Sequence, residues 1–174
     1  MDWKEGLDDL LVGPLAELTP LERDIFRARL ELHWPDALRP LRRLYGDRLD
    51  FDECCRHLLA IVAAGYVARP AELRLLDQRR QSRPDWFQQP DMLGYVAYAD
   101  RFAGNVRGVA ECIPYLTELG VTYLHLMPLL APRDGPNDGG YAVADYRAVN
   151  PALGTMADLA EVAARLRAEG ISLC

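Results

Sequence analysis

The order of the elements predicted over residues 92–174 constrains the fold of this chain more than any other feature. Three short apolar runs are typical of strands, the first two of them buried on both faces: residues 93–98, 121–128 and 171–174. Two helical patterns separate them, and a glycine follows each: residues 108–119 and 157–169. This alternation predicts right-handed parallel units in an α/β fold. Two architectures share it, an open doubly wound sheet and a closed (β/α)8 barrel.

The segment after the first predicted strand separates these two architectures. An open sheet that binds a dinucleotide carries a glycine-rich phosphate turn at this position. Here the sequence reads DRFAG over residues 100–104, so a nucleotide-binding sheet is disfavoured. The sequence therefore predicts the first strands and helices of an incomplete (β/α)8 TIM barrel. We expect the chain to be the N-terminal part of a longer protein, because a barrel needs further strands to close.

The residues before about position 80 are predicted to form an N-terminal helical domain. Thr19 and Glu22 indicate a helix start with a capping box, and Pro35 is expected to end that helix. Three further helices are predicted: residues 36–45, 50–66 and from 70 onward. The predicted domains are this helical domain with its linker and the truncated start of the barrel: residues 1–85 and 86–174.

Charge and cysteine content exclude several classes of function. A net charge of −6 and a pI near 5.1 give no cationic surface for nucleic acid. The apolar runs are too short for a membrane span, and acidic residues stand where a signal peptide would be basic, so a cytoplasmic location is expected. No metal-ligand spacing accompanies the cysteines, which we interpret as reduced packing residues: Cys54, Cys55, Cys112 and Cys174. We expect no metal and no cofactor.

The long connection over residues 129–155 is the candidate site, because barrel enzymes build their sites from loops that follow strands. Within it, Gly139 and Gly140 allow a sharp turn that brings the Asp138 carboxylate near the Tyr141 ring. A carboxylate accepts hydrogen bonds from sugar hydroxyls, and an aromatic face stacks on a pyranose. The residues alone leave two interpretations open: a sugar-binding pair, or a loop-shaping Asx turn beside a packed ring.

Three stretches of the sequence carry a resemblance to a known family. They read MLGYVAYADRFAG from residue 92, YLTELGVTYLHLMPL from residue 115 and NDGGYAVADYRAVNPALGT from residue 137. Together they closely resemble the start of the catalytic domain of amylosucrases, which belong to the α-amylase family, glycoside hydrolase family 13. The resemblance extends back through YVARPAEL at residues 66–73, in a region that resembles the family's helical N-terminal domain.

The resemblance implies an activity that these residues alone do not complete. Amylosucrases transfer glucosyl units from sucrose to an α-glucan with retention of configuration and release fructose. Such double displacement needs an Asp nucleophile and a Glu acid/base about 5 Å apart. In the family these residues follow the fourth and fifth strands, so they are expected beyond Cys174, and no catalytic residue is assigned in this chain. The isolated chain is therefore expected to be inactive, and sucrose and α-glucan are the implied partners of its parent.

Residue by residue, the resemblance assigns roles within the loop. Asp138 is expected at the base of the subsite for the glucosyl ring, where it would pair with an arginine from later in a complete enzyme. Tyr141 is expected to stack beneath the same ring. His125, in the second strand, is interpreted as a core histidine with a possible secondary ligand role. The remaining motif residues are expected to hold the loop in shape: Gly139, Gly140, Asp145 and Arg147.

Other functions stay open beside this one. Within the enzyme class, a sucrose hydrolase or another α-amylase-family transglucosylase is the alternative, since the loops that choose between water and glucan are expected beyond this chain. Outside it, the chain could be a binding or interaction protein that uses its helical domain or the Asp138–Tyr141 loop without catalysis. The sequence predicts no oligomeric state.

Overall fold

The computed structural model of the protein describes residues 13–136 and 138–174. Its packing divides the chain into two compact units, of which the first ends at Arg83 and the second comprises Pro84–Cys174. Helices and a parallel sheet are both present, so the predicted α/β class is confirmed. The acidic N-terminal residues and Asn137, which entered the sequence analysis, lie outside the described residues.

Helices build the described part of the first unit. A 3-10 turn and three α-helices follow one another: Pro14–Glu17, α1 (Pro20–Tyr45), α2 (Phe51–Ala68) and α3 (Ala71–Ser82). The predicted capping box at the start of α1 is confirmed. The Glu22 backbone N–H donates to Thr19 Oγ1 at 3.3 Å, and the Thr19 backbone N–H donates to Glu22 Oε2 at 2.9 Å.

Helix α1 continues through Pro35 and Pro40, so the predicted break at Pro35 and the separate helix over residues 36–45 are wrong. Each proline removes one backbone hydrogen bond and crowds the carbonyl four residues earlier. Both prolines are exposed, so water can reach the carbonyls that they leave unpaired, whereas Trp34 and Leu38 pack into the core. Tertiary packing therefore outweighs the local helix-breaking preference.

The core of the first unit lies between α1, α2 and the 3-10 turn. Its buried members are apolar or aromatic: Leu15, Leu18, Phe26, Leu30, Trp34, Leu59, Ala63 and Tyr66. Arg74 of α3 joins these elements. Its Nη2 donates to Glu22 Oε1 at 2.7 Å, and its Nη1 donates to Arg69 O at 2.5 Å. One cation thus connects the start of α1 with the C-terminal end of α2, where a positive charge is favourable.

The second unit holds the strands that the sequence predicts. Its described strands and α-helices follow this order: β1 (Gly94–Ala97), α4 (Ala99–Ala103), α5 (Val106–Glu111), α6 (Ile113–Glu118), β2 (Tyr123–Leu126), β3 (Leu130–Pro132), β4 (Val143–Val149), α7 (Met156–Ala168) and β5 (Ser172–Leu173). Strands β1, β2 and β5 are parallel neighbours in that order, and a 3-10 turn at Trp86–Gln88 precedes them. These three strands are the three that the sequence predicts.

The two faces of the parallel sheet differ. Leu124 and Leu126 are buried in a core that also contains residues of α5, α6 and α7, and the half-buried Tyr123 and His125 alternate with them on the opposite face. Val96 of β1 lies opposite His125 in register and is 60% exposed. The prediction that the first strand is buried on both faces is therefore wrong.

The helix predicted over residues 108–119 is divided into α5 and α6, which meet at Cys112. Pro114 has no N–H for the Ala110 carbonyl four residues earlier. Arg165 of α7 supplies the missing donor, because its Nη2 donates to Ala110 O at 3.0 Å. The break therefore leaves no unpaired carbonyl at this point and ties α5 to α7.

The four cysteines are free thiols in different environments. Cys55 is buried and Cys112 half-buried, and burial raises the pKa of the Cys55 thiol. Cys54 and Cys174 are exposed, so their interpretation as packing residues is wrong. Within residues 13–136 and 138–174, no helix is both long and apolar enough to cross a membrane.

Candidate functional site

The connection that follows β2 contains regular structure that the sequence analysis did not predict. Strands β3 and β4 pair as an antiparallel ribbon. The Asn150 N–H donates to Leu129 O at 2.8 Å at one end of the ribbon, and the Arg133 N–H donates to Ala142 O at 2.8 Å near its tip. The candidate residues at the tip are thus carried by a hydrogen-bonded ribbon and not by an irregular loop.

The tip turn is shaped by the Asp138 carboxylate. Its Oδ1 accepts a hydrogen bond from the Ala142 backbone N–H at 2.7 Å. Gly139 and Gly140 between them have φ values of +80° and +98°, a region that residues with a Cβ atom rarely adopt. The loop-shaping interpretation of Asp138 therefore holds for one oxygen. Its other oxygen, Oδ2, accepts no hydrogen bond from the residues that the structure describes.

The glycine pair also brings the tip close to the ends of the parallel strands. A Cβ atom on Gly140 would lie 3.1 Å from Pro128 Cβ, and one on Gly139 would lie 3.7 Å from Tyr98 Oη. Tyr98 follows β1, and Pro128 follows β2 by two residues. The carboxyl ends of these strands are joined, because the Met127 N–H donates to Ala97 O at 2.8 Å. The tip therefore lies where the sites of parallel α/β proteins are found.

Tyr141 presents an accessible ring. Its side chain is 53% exposed, and it contacts no aromatic ring of the described residues. The alternative of a packed ring is therefore wrong. An exposed aromatic face three residues from a carboxylate is the arrangement that binds a pyranose by stacking and hydrogen bonding together.

Asp145 and Arg147 lie together in β4. The Asp145 Oδ1 accepts a hydrogen bond from the Arg147 backbone N–H at 2.7 Å, and both side chains are exposed. Strand β4 has its register shift here, since Ala131 pairs with Asp145 while the preceding Leu130 pairs with Val149. This carboxylate supports an irregular stretch of backbone, which is the arrangement that a loop-structural role requires.

His125 occupies the face of the sheet opposite the core. It is half-buried, and it makes no hydrogen bond with the described residues. The described residues therefore provide no hydrogen-bond partner that would satisfy the His125 imidazole, as the interpretation of a satisfied core histidine requires. Tyr98 is a site residue missing from the predicted site, although its position as the last residue of a predicted strand was an available signal.

The far end of the connection is fixed by Thr155 and Asp158. Asp158 is 6% exposed and accepts hydrogen bonds from the Thr155 backbone N–H at 2.8 Å and the Thr155 hydroxyl at 2.7 Å. Its Oδ1 also accepts from Arg107 Nε of α5. The Arg107 hydrogen bond, followed by those from Thr155, holds the pKa of Asp158 below its ordinary value. Both ends of the connection are therefore anchored to the barrel unit.

The described residues contain no cluster of side chains that could ligate a metal ion. No group of three His, Cys, Asp or Glu side chains within residues 13–136 and 138–174 is close enough to hold a metal ion. The groups that the described residues present at the tip are the Asp138 carboxylate, the Tyr141 ring and the backbone of Gly139 and Gly140.

Comparison with known families decides what this unit is. A family model described as "Alpha amylase, catalytic domain" matches residues 79–174, which is more than half of the chain. The chain belongs to the α-amylase family. The parallel strands β1, β2 and β5 with their helices are accordingly part of the (β/α)8 barrel of this family of glycoside hydrolases and transglycosylases, and the predicted fold class is confirmed.

Several relatives within the α-amylase family are similar to this chain. A salivary alpha-glucosidase from Anopheles gambiae is 29% identical over 123 residues, which are 67% of this chain and 20% of that protein. A trehalose-6-phosphate hydrolase from Escherichia coli (strain K12) is 33% identical over 98 residues, which are 52% of this chain and 17% of that protein.

A solved structure of a MutB mutant in complex with the substrate sucrose is 30% identical to this chain, with a TM-score of 0.44. The match covers 52% of this chain and 16% of that one. The chain thus spans about a fifth or less of the length of these relatives.

Proposed function

We propose that the natural polypeptide carrying this chain is an amylosucrase, which transfers glucosyl units from sucrose to an α-glucan with retention and releases fructose. The observation that carries the proposal is the tip of the ribbon. There Asp138 Oδ2, which accepts no hydrogen bond from the described residues, and the exposed ring of Tyr141 stand on either side of the Gly139–Gly140 turn. Support for sucrose as the donor comes from the resemblance over residues 92–104, 115–129 and 137–155.

The proposed work of this chain is to bind and orient the glucosyl ring. Asp138 Oδ2 accepts hydrogen bonds from ring hydroxyls, and these bonds are strong because the acceptor is charged. Tyr141 stacks on the C–H face and excludes water from one side of the sugar. The nucleophile and the acid/base come from later strands of the barrel, and they act across the anomeric carbon of the ring that the tip has positioned.

A second candidate function is hydrolysis of an α-glucoside. It is favoured by the similarity of this chain to an alpha-glucosidase and to a trehalose-6-phosphate hydrolase. Both functions use the same site for the glucosyl ring and differ in the acceptor, which is a glucan hydroxyl in one and water in the other.

Product analysis separates the two functions. The natural polypeptide is incubated with sucrose and glycogen, and fructose, free glucose and glycogen chain length are measured over time. A transglucosylase releases much more fructose than glucose and lengthens the glycogen chains. A hydrolase releases fructose and glucose in equal amounts and leaves the glycogen unchanged. A polypeptide that consumes no sucrose contradicts the amylosucrase proposal. Hydrolysis of an α-glucoside is contradicted only if the polypeptide also releases no glucose from other α-glucosides such as maltose.

A further inference from the structure

The first unit contains a cavity that has no part in the proposed chemistry of the barrel. It has a volume of about 400 Å³, within the range of small-molecule sites. Most of its lining is apolar and comes from α1 and α2, including Leu30, Trp34 and Tyr66. Three charged side chains, Arg29, Arg69 and Asp77, also line it.

An unsatisfied donor belongs to this lining. Trp34 is 5% exposed, and its buried indole N–H has no acceptor among the residues that the structure describes. Buried indole N–H groups ordinarily find a partner, because an unpaired one loses its hydration without compensation. A ligand that brings an acceptor oxygen into the cavity would remove this deficit.

The charges at the cavity are unbalanced. Arg69 binds the Asp77 carboxylate with both of its donors, at 2.6 and 2.8 Å. Arg29 lies farther from the same carboxylate, with its Nη1 at 3.9 Å from Asp77 Oδ2, and donates no hydrogen bond to the described residues. Two guanidinium groups therefore share one carboxylate, and the donors of Arg29 remain available to an anion.

We propose that this cavity binds an organic carboxylate with an apolar body. The carboxylate supplies acceptors for the Arg29 guanidinium and the Trp34 N–H, and the apolar body packs against Leu30 and Tyr66. A charged head with an apolar body matches a lining that is mostly apolar and carries two guanidinium groups beside one carboxylate. The site lies wholly in the first unit and shares no residue with the proposed sucrose site.

The test is calorimetric titration of the natural polypeptide with decanoate and, separately, with the neutral analogue 1-decanol. Decanoate is expected to bind saturably to one site with a Kd tighter than about 1 mM, and decanol is expected to bind at least about tenfold more weakly. Absence of saturable decanoate binding, or equal affinity for the two probes, overturns the proposal.

Three variants locate the site. Arg29→Gln removes the guanidinium group that donates no hydrogen bond to the described residues, and it is expected to weaken decanoate binding at least about tenfold. Gly65→Leu fills the cavity from α2, where an added Cβ atom meets nothing within 4 Å, and is expected to weaken decanoate and decanol alike. Arg43→Gln, an exposed arginine outside the lining, is the matched control and should leave the affinity unchanged.

Circular dichroism of each variant distinguishes a lost site from a lost fold. If Arg29→Gln keeps its helicity and binds decanoate as tightly as the wild type, the assignment is overturned. Sucrose turnover, measured in parallel, is expected to stay unchanged in Arg29→Gln, so failure of this proposal and failure of the proposed function give different results.

Discussion

At the scale of single residues, Asp138 combines a structural and a chemical role through its two oxygens. Oδ1 closes the turn by accepting from the Ala142 N–H, and Oδ2, which accepts no hydrogen bond within residues 13–136 and 138–174, is the oxygen proposed to bind the ligand. Asparagine keeps an oxygen for the turn but removes the charge. The expected result of Asp138→Asn is therefore a fall in kcat/KM for sucrose of about a hundredfold with the fold intact, because more than one charge-assisted hydrogen bond is lost.

The control for this variant is Asp134→Asn, an exposed aspartate of the same connection with no hydrogen bond to the described residues. Its kinetics should equal those of the wild type. If Asp138→Asn stays within about twofold of the wild type in kcat/KM, Asp138 does not contact the glucosyl ring.

Tyr141 offers a second residue-scale prediction, which concerns stacking. Tyr141→Ala is expected to lower kcat/KM for sucrose about tenfold, in line with the energy of an aromatic contact, whereas Tyr141→Phe keeps the ring and most of the rate. Tyr146→Ala is the matched control, because Tyr146 is 76% exposed and lies on the same ribbon. Steady-state kinetics of the three variants measure this difference. If Tyr141→Ala and Tyr146→Ala have the same kcat/KM for sucrose, Tyr141 does not stack on the glucosyl ring.

Sequence alone predicted part of the tip and not the rest. The two glycines and the neighbouring carboxylate and ring were visible because glycine marks a positive φ, and the structure has it at Gly139 and Gly140. The division of labour between the two oxygens of Asp138 was not visible, because it depends on where the Ala142 N–H points. Tyr98 was missed because its approach to Gly139 comes from folding distant parts of the chain together.

At the scale of elements, the start of α7 is held by a capping box that the sequence analysis did not assign. The Asp158 N–H donates to Thr155 Oγ1 at 3.2 Å, and the Thr155 N–H donates to Asp158 Oδ2. Thr155→Ala is expected to lower the free energy of opening of the first turn of α7 by about 1 kcal/mol. Thr155→Ser keeps the hydroxyl and should retain most of the stabilisation by the cap. Hydrogen exchange of the backbone amides of this turn measures both. Equal exchange in Thr155→Ala and the wild type would contradict the role of the cap.

The tie between α5 and α7 makes the barrel unit sensitive to acid. Since the hydrogen bond from Arg107 holds the pKa of Asp158 below the ordinary value of 3.8, the unfolded chain takes up this proton first as the pH falls. The stabilisation is therefore complete well above pH 3.8 and is lost as the pH falls through the lower folded pKa.

Thermal unfolding between about pH 6 and pH 2 checks this sign. The midpoint temperature of the wild type is expected to fall more steeply in the acid range than that of Asp158→Asn, which lacks the titrating group. Asp91→Asn, at an exposed position with no hydrogen bond to the described residues, should follow the wild-type curve. Identical slopes for wild type and Asp158→Asn would show that this carboxylate does not set the acid response.

Element boundaries show where local preference is decisive and where packing overrides it. The cap at Thr19 and the turn after α6 at Gly120, with a φ of +81°, followed from local chemistry. Pro35 failed as a helix end because it lies on the exposed side of a helix whose other side is buried. Pro114 did interrupt its helix, and the carbonyl that it left unpaired is bound by Arg165. The ribbon of β3 and β4 escaped prediction because its strands are short and its register is irregular.

At the scale of the whole molecule, the two faces of the parallel sheet differ in how far they are covered. One face is buried against helices, and the other bears Val96, Tyr123 and His125. The order of the parallel strands was predictable, because strand–helix alternation permits few topologies. The exposure of Val96 was not predictable, because a short apolar run has the same sequence pattern whether the second face of its strand is covered or exposed.

We propose above that the ribbon tip binds the glucosyl ring of sucrose. A crystal structure of the natural polypeptide with bound sucrose tests it most directly. We expect Asp138 Oδ2 to lie about 2.5–3.0 Å from a hydroxyl oxygen of the glucosyl ring, with the Tyr141 ring stacked beneath that sugar. Sucrose bound with its glucosyl ring away from both side chains would show that the tip is not the site of the glucosyl ring.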